Sequence, residues 1–255
     1  MQSKTILITG AASGIGFGIA QHLGELGHKI IVADINLEAA QNAVNKLITV
    51  KINALAVQLD VADAVQIEAL PEKLLPDQID VLINNAGIQH VSRLEDFPAQ
   101  KWQQLINIML VGPALLAKAF LPQMREQNFG RIINVGSLHS VVASPYKSAY
   151  VAAKHGLLGF AKTLALETGD CNVTVNTLCP GYVKTPLVEQ QIAAQAIENG
   201  ISEEDVINKI MLEPMPKKAF IEIEELASSA AFLISDAAKN ITAQALVIDG
   251  GWTAR

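Results

Sequence analysis

Cysteine is nearly absent. Cys171 and Cys179 are the only two in 255 residues, with no CxxC spacing and no histidine cluster beside them. Neither a disulfide framework nor a metal site is expected, and free thiols of a reducing compartment are the plain reading. Charged residues make up 17% of the chain, no stretch gathers Lys and Arg, and the formal net charge is −6. Such a chain lacks the basic surface that phosphate neutralisation requires, so nucleic acid is not an expected partner. No apolar run approaches the ~20 residues of a bilayer span. The apolar start TILITGAASGIG has no charged lead and is broken at once by glycine, unlike a secretory leader. A cytoplasmic protein without a membrane partner is expected. Linkers, internal repeats and low-complexity tracts are missing too, so a half-hydrophobic chain of this length suits one domain over residues 1–255.

What is present is a regular alternation. Short β-branched runs (TILIT, KIIVAD, ALAVQLD, IDVLIN, RIINVGS, VTVNTL, ALVIDG) are separated by segments long enough for crossover helices. The runs show no in–out alternation, which is how strands covered on both faces look. The pattern predicts an α/β fold: one doubly wound, Rossmann-like sheet of seven parallel strands with helices on both faces. Residues 183–220 are the least regular and are the candidate substrate lid.

After the first run comes TGAASGIG, with Gly10, Gly14 and Gly16 leading into a helical pattern. Glycines at a strand-to-helix turn let the backbone approach a diphosphate, whose charge the free N–H groups at the helix start favour. Alone, the turn fits close helix-to-sheet packing equally well. The second run ends in Asp34, where a carboxylate can accept hydrogen bonds from a ribose diol and repel a 2′-phosphate. Neither Ser13 nor Ile35 and Asn36 supplies a cation to hold such a phosphate, so NAD is expected over NADP. Asp60-Val61 and the NNAG of Asn84 to Gly87 end the third and fourth runs, at the carboxyl edge where open α/β sheets bind ligands.

The stretch SAYVAAKHG sets Tyr150 and Lys154 four residues apart, on one helical face. An ammonium beside a phenol, together with a positive nicotinamide, favours phenolate over the ordinary Tyr pKa of ~10. An isolated YxxxK also fits a Tyr snorkelling beside an exposed Lys. Ser137, closing RIINVGS, adds a hydroxyl that can stabilise developing charge on a substrate oxygen.

This ordered set resembles the short-chain dehydrogenase/reductase family along essentially the whole chain. Its motifs are TGxxxGxG from Thr9 to Gly16, including Ser13 and Ile15; Asp60-Val61; Asn84, Ala86 and Gly87 of NNAG; Ser137; Tyr150 and Lys154; Pro180-Gly181 with Val183 and Thr185; and the closing IDGG. The resemblance implies Ser137, Tyr150 and Lys154 as the catalytic group, with Lys154 also holding the nicotinamide ribose, and a homotetramer. A finer resemblance, to the cytosolic D-3-hydroxybutyrate dehydrogenases, rests on NNAGIQHVSRLEDFP, FGRIINVGSLHSVVASPYKSAYVAAKHG, CPGYVKTPLVEQQI and DGGWTAR. It implies that Gln89, His139, Lys147 and Gln191 grip a small carboxylate substrate, with Tyr182 and Trp252 as an apolar wall. Charge-assisted hydrogen bonds would offset the anion's desolvation.

One departure stands out. The family's helix after the fourth strand carries an Asn that helps hold a water leading protons away from Lys, and Met109 occupies that place here. Asn107 lies two positions earlier, turned by ~200° on a regular helix, and cannot replace it, so either the Met109 main-chain carbonyl holds the relay water or proton release follows another path. The expected reaction is NAD-dependent interconversion of (R)-3-hydroxybutyrate and acetoacetate. A 3-oxoacyl thioester reductase using NADPH and a non-catalytic dinucleotide sensor are the alternatives.

Overall fold

The computed structural model describes residues 3–254; Arg255 of the terminal DGGWTAR lies outside them. Seven strands form one sheet in the order β3-β2-β1-β4-β5-β6-β7, every neighbour parallel. They are β1 (Thr5–Thr9), β2 (Lys29–Asp34), β3 (Ala54–Gln58), β4 (Val81–Asn84), β5 (Gly130–Val135), β6 (Val173–Pro180) and β7 (Ala245–Ile248). The expected doubly wound sheet is thus observed, with β3 and β4 shorter than their apolar runs.

Side chains of a strand alternate between faces, and here both faces find helices. Ile6, Ile8, Ile30, Val32 and Ile83 pack with helices α1 (Gly14–Glu25), α2 (Leu37–Thr49) and a late helix at Ile223–Leu233. Leu7, Ile31, Leu82, Ile132 and Val175 enter a second core beneath α3 (Ala64–Lys73) and two long helices of the middle of the chain. Those helices belong to a continuous segment, Ala99–Glu126, and to α6 (Ser148–Glu167).

The segment Ala99–Glu126 is α4 (Ala99–Ile106), one π-helical stretch (Asn107–Val111) and α5 (Gly112–Glu126). It is long and apolar enough to cross a membrane, with a mean hydropathy of 1.7 in its most apolar window. The expectation that no run approached that length is corrected here: only Asn107 and Lys118 interrupt the apolar pattern between Leu105 and Leu121. Its buried side serves the core, where Leu116, Phe120 and Met124 are at most 1% exposed.

Residues 183–220 leave the sheet after β6 and return at Ile221, which pairs with Val183. Between lie α7 (Pro186–Asn199), capped by Thr185, and a short α8 (Glu203–Asp205) running into a π-helical turn. Val188, Ile192, Val206 and Met211 give this excursion its own apolar cluster. The strand order reverses between β1 and β4, and the main cleft of the molecule, about 520 Å³, opens at their carboxyl ends, as that topology requires.

Candidate active site

At the β1 end of the cleft the glycine turn is pressed onto β4. Thr9 Oγ1 accepts the backbone N–H groups of Asn85 and Ala86, both at 3.1 Å. Asn85 Nδ2 donates to the carbonyls of Thr9 and Gly10 at 2.9 and 3.0 Å. Gly10 has φ +61°, and a Cβ there would lie 2.8 Å from Ala86 Cα; one on Gly16 would lie 2.5 Å from Asn85 Nδ2. Only glycine meets the first condition without strain, and only a residue lacking Cβ meets the second. Ser13 stands at the start of α1 but makes no side-chain capping bond. The helix's first N–H groups therefore remain donors for an anion in the cleft that Ser13, Gly14 and Ile15 line.

Asp34 is fixed at the rim of the same cleft. Its Oδ2 accepts the Ala12 N–H at 3.3 Å and its Oδ1 the Asn36 N–H at 3.1 Å. Asn36 caps α2 through Ala39, and Ile35 is exposed. Asp60 holds its own turn, its Oδ1 accepting from the Ala62 N–H at 2.9 Å. Among the described residues that line the cleft, the only Lys or Arg side chains are Lys147 and Lys154, neither of them near Asp34 in sequence.

Deeper in the cleft, β5 ends at Val135 and delivers Ser137, while α6 carries Tyr150 and Lys154. All three line the cavity, as do Gln89, His139, Lys147, Tyr182 and Gln191. Lys154, 4% exposed, donates from Nζ to the Val135 carbonyl at 2.7 Å. That nitrogen stands 5.6 Å from the centre of the Tyr150 ring. Burial lowers the Lys154 pKa to about 8, which still leaves an ammonium at neutral pH.

The expected acidification of Tyr150 counts on a positive nicotinamide as well as on Lys154, and the chain's own groups alone do not supply it. Among the chain's own groups, burial dominates and pushes the phenol above its ordinary value; a hydrogen bond with Ser137 pulls it down, and Tyr182 and Cys179 push it further up. Lys154 Nζ gives one N–H to the Val135 carbonyl, which leaves its charge in place near the ring. The two side chains share a helical face as the spacing required, but that spacing did not reveal where the lysine nitrogen would be anchored.

His139 holds two partners already. Its Nδ1 lies 3.4 Å from Ser137 Oγ and its Nε2 lies 2.7 Å from Ser144 Oγ, while its backbone N–H donates to Ser137 Oγ at 3.2 Å. Both ring nitrogens thus face serine hydroxyls, and the residue lines the cleft. Burial, with Lys147 and His155 nearby, lowers the His139 pKa to about 4. The unfolded chain thus takes up a proton near 6.5 and the folded chain only near 4, so stability is full above pH 6.5 and falls as pH drops through that window. Between pH 7 and pH 4.5 the loss is roughly 2–3 kcal/mol. Replacing His139 by Gln is expected to remove that part of the acid sensitivity, measured as the difference in denaturant-unfolding free energy at the two pH values.

Lys147 occupies the position before α6 without capping it. Burial lowers its pKa, and its Nζ lies 5.8 Å from the Tyr182 ring centre. Gln89 Oε1 is buried with no hydrogen-bond partner, and Gln191 reaches the cleft from α7. Trp252 does not line the cleft; its ring backs the wall, 5.8 Å from Tyr182 and 6.5 Å from His139. Thr9, Gly16 and Asn84 likewise shape the site from behind, Asn84 through Nδ2 to Asn134 Oδ1 at 2.9 Å. Pro180, Gly181, Val183 and Thr185 line the side nearest α7.

Sequence reading passed over Asn85, although it sits inside NNAG, because its bonds to the glycine turn join strands distant in the chain. It also passed over Ser144, which carries no motif. Met109 is 1% exposed and lines the cleft inside the π-helical stretch. The regular helix assumed for this segment is therefore corrected, but Asn107 still looks away: its Oδ1 accepts from exposed Gln103 at 2.8 Å.

Residues 4–196 match the short chain dehydrogenase family. The chain is 43% identical over 99% of its length to the whole of D-beta-hydroxybutyrate dehydrogenase from Rhizobium meliloti (strain 1021). It is 42% identical over its full length to the whole of a protein of the same name from Cupriavidus necator (strain ATCC 17699). A crystal structure of a variant actinorhodin polyketide ketoreductase with NADPH superimposes with a TM-score of 0.94 at 31% identity, covering 99% of this chain and 98% of that one. The glycine turn, the Ser137, Tyr150 and Lys154 group and these likenesses agree: the chain belongs to the short-chain dehydrogenase family of oxidoreductases.

Proposed function

We propose that this enzyme interconverts (R)-3-hydroxybutyrate and acetoacetate with NAD. The observation that carries the reading is a cleft with two chemically distinct ends. One end has free helix N–H groups and a fixed carboxylate, and the other has a buried cation and two amides beside Ser137 and Tyr150. The names of the relatives support the substrate.

The residues fit a dinucleotide. The glycine turn and α1 start would hold the diphosphate, Asp34 the ribose diol, and Lys154 the second ribose. When bound, NAD would accept the substrate's carbinol hydrogen with its electron pair, and its positive ring would add the charge that Tyr150 needs to ionise. Tyr150 takes the hydroxyl proton. Ser137 holds the substrate oxygen, and Lys147, with Gln89 and Gln191, orients the carboxylate. Gln89 Oε1 is buried without a hydrogen-bond partner in the chain, and its residue lines the cleft, which supports a place for that amide in ligand binding. Tyr182, with Trp252 behind it, walls the short carbon chain. Residues 183–220, carrying Gln191, are the segment we assign to cover the bound acid.

NAD is favoured over NADP because a 2′-phosphate beside Asp34 would meet a fixed negative charge and no cation. The ketoreductase likeness, with its NADPH, supports the thioester-reductase alternative, which leaves Lys147 without an anion to bind. A homotetramer is the proposed assembly. The groove between α5 and α6, lined by Ala114, Leu121, Pro122 and Phe160, offers an apolar face for a second copy, and a reducing cytoplasm is its proposed setting.

The deciding assay mixes the protein with NAD or NADP and either enantiomer of the acid, and follows reduced-nicotinamide absorbance. Signal is expected with NAD and the (R) acid. Signal with neither enantiomer, or with NADP in preference, contradicts the reading.

A further inference from the structure

The last turn of the chain is pinned by one buried carboxylate. β7 stops at Ile248, and Asp249 follows, 6% exposed. Its Oδ1 accepts the Gly251 N–H and its Oδ2 the Thr253 N–H, both at 2.8 Å, while its carbonyl accepts the Trp252 N–H at 3.3 Å. Gly250 and Gly251 take φ +62° and +90°, left-handed values that suit glycine. Gly181, just before the excursion 183–220, and Lys217, near its end, close on this turn. The Gly181 N–H donates to the Ile248 carbonyl at 2.8 Å and the Lys217 N–H to the Gly250 carbonyl at 3.2 Å. The last residues of a domain fray unless they are tied down, and here Asp249 ties them.

What the turn carries is Trp252. Its ring centre lies 5.8 Å from that of Tyr182 and 6.5 Å from that of His139. Both of those residues line the cleft, and the Lys147 ammonium stands 5.8 Å from the Tyr182 ring centre, within reach of a cation–π attraction. We infer that Asp249 is a positioning residue for the acid site. It does not line the cleft itself; by locking the turn it holds Trp252 against Tyr182 and His139, the two residues that do. A carboxylate suits the task because it offers two acceptor oxygens and no donor. Asn in its place keeps the shape but has one acceptor, and its Nδ2 would set a donor against a donor, so one of the two N–H groups loses its partner. Once the turn is loosened, Trp252 no longer backs Tyr182, and the face that Lys147 meets shifts. Binding of the acid then weakens, whereas the glycine turn and Asp34, which belong to other elements, stay as they are. The link to the acid rests on the function proposed above; the pinning of Trp252 does not.

The test uses the full-length enzyme, Asp249→Asn, Trp252→Ala and the double variant. Asp249→Asn is expected to raise KM for the (R) acid at least about threefold, the order of one lost aromatic contact, with kcat and the KM for NAD within about twofold of wild type. In the Trp252→Ala background the same change should add less than about twofold, because residues that act through one another are not additive. A smaller rise than threefold, a KM for NAD raised as much, or a further rise of twofold or more on top of Trp252→Ala would overturn the proposal. Wild-type turnover of the (R) acid tests the substrate reading separately. Two readouts need no substrate. With Trp102→Phe in place, Trp252 is the only tryptophan, and Asp249→Asn should move its emission to longer wavelength as the ring meets water; an unchanged emission would overturn the pinning. Amide exchange in the terminal peptide of the wild-type chain asks nothing of a variant's folding. The Gly251 and Thr253 amides are expected to be protected, and exchange at the rate of a free peptide would overturn the pinning as well.

Discussion

Tyr150→Phe is expected to lower kcat by roughly three orders of magnitude or more while leaving NAD affinity within a few-fold of wild type. The ring that meets His139 edge-on is preserved, so the fold and the cleft should stand. What is lost is the phenol proposed to take the substrate proton, and positioned proton transfer is worth about 10²–10⁴-fold. The chain's own groups hold this phenol above its ordinary pKa, so the wild-type enzyme should show a phenol that ionises more readily with NAD bound than without it. Ultraviolet difference titration with and without NAD, set beside Tyr150→Phe as the blank, measures that shift directly. Near-normal turnover by the Phe variant would remove Tyr150 from the chemistry.

Lys147→Ala is expected to raise KM for the acid about 10- to 100-fold, the equivalent of the ~1.5–3 kcal/mol that a hydrogen bond to a charged group is worth. kcat should change little, because the carboxylate is bound equally in ground and transition states. Lys147 makes no cap for α6 and its charge is disfavoured by burial. Its removal should therefore leave thermal stability unchanged or raise it. That opposite movement of stability and substrate affinity separates an anion-binding lysine from a structural one. An unchanged KM would exclude it from the anion site.

The fold was legible because parallel strands covered on both faces write themselves as unbroken apolar runs, and all seven runs became strands in one sheet. The glycine turn, Asp34, Ser137, Tyr150 and Lys154 were legible because backbone geometry or chemistry restricts those positions to few residue types. Less legible were features set by packing across the chain. Asn85 shows its role only when β4 lies beside the glycine turn, and the anchoring of Lys154 on Val135 needs β5 placed under α6. His139 is a further case. As a residue in a resemblance it is a carboxylate ligand, yet folding brings Ser144 to one ring nitrogen and Ser137 to the other. The π-helical turn at Met109 was invisible because a one-residue change of helical register leaves no pattern in so apolar a stretch.

The account depends on one cleft seating the dinucleotide and a small acid together, with Lys147 holding the acid. Isothermal titration of (R)-3-hydroxybutyrate into NAD-saturated Tyr150→Phe tests this without turnover. Saturable one-to-one binding is expected, and it should weaken at least tenfold when Lys147→Ala is added or when the (S) acid replaces the (R). Binding of equal strength in the absence of NAD and of Lys147, or no binding at all, would contradict it.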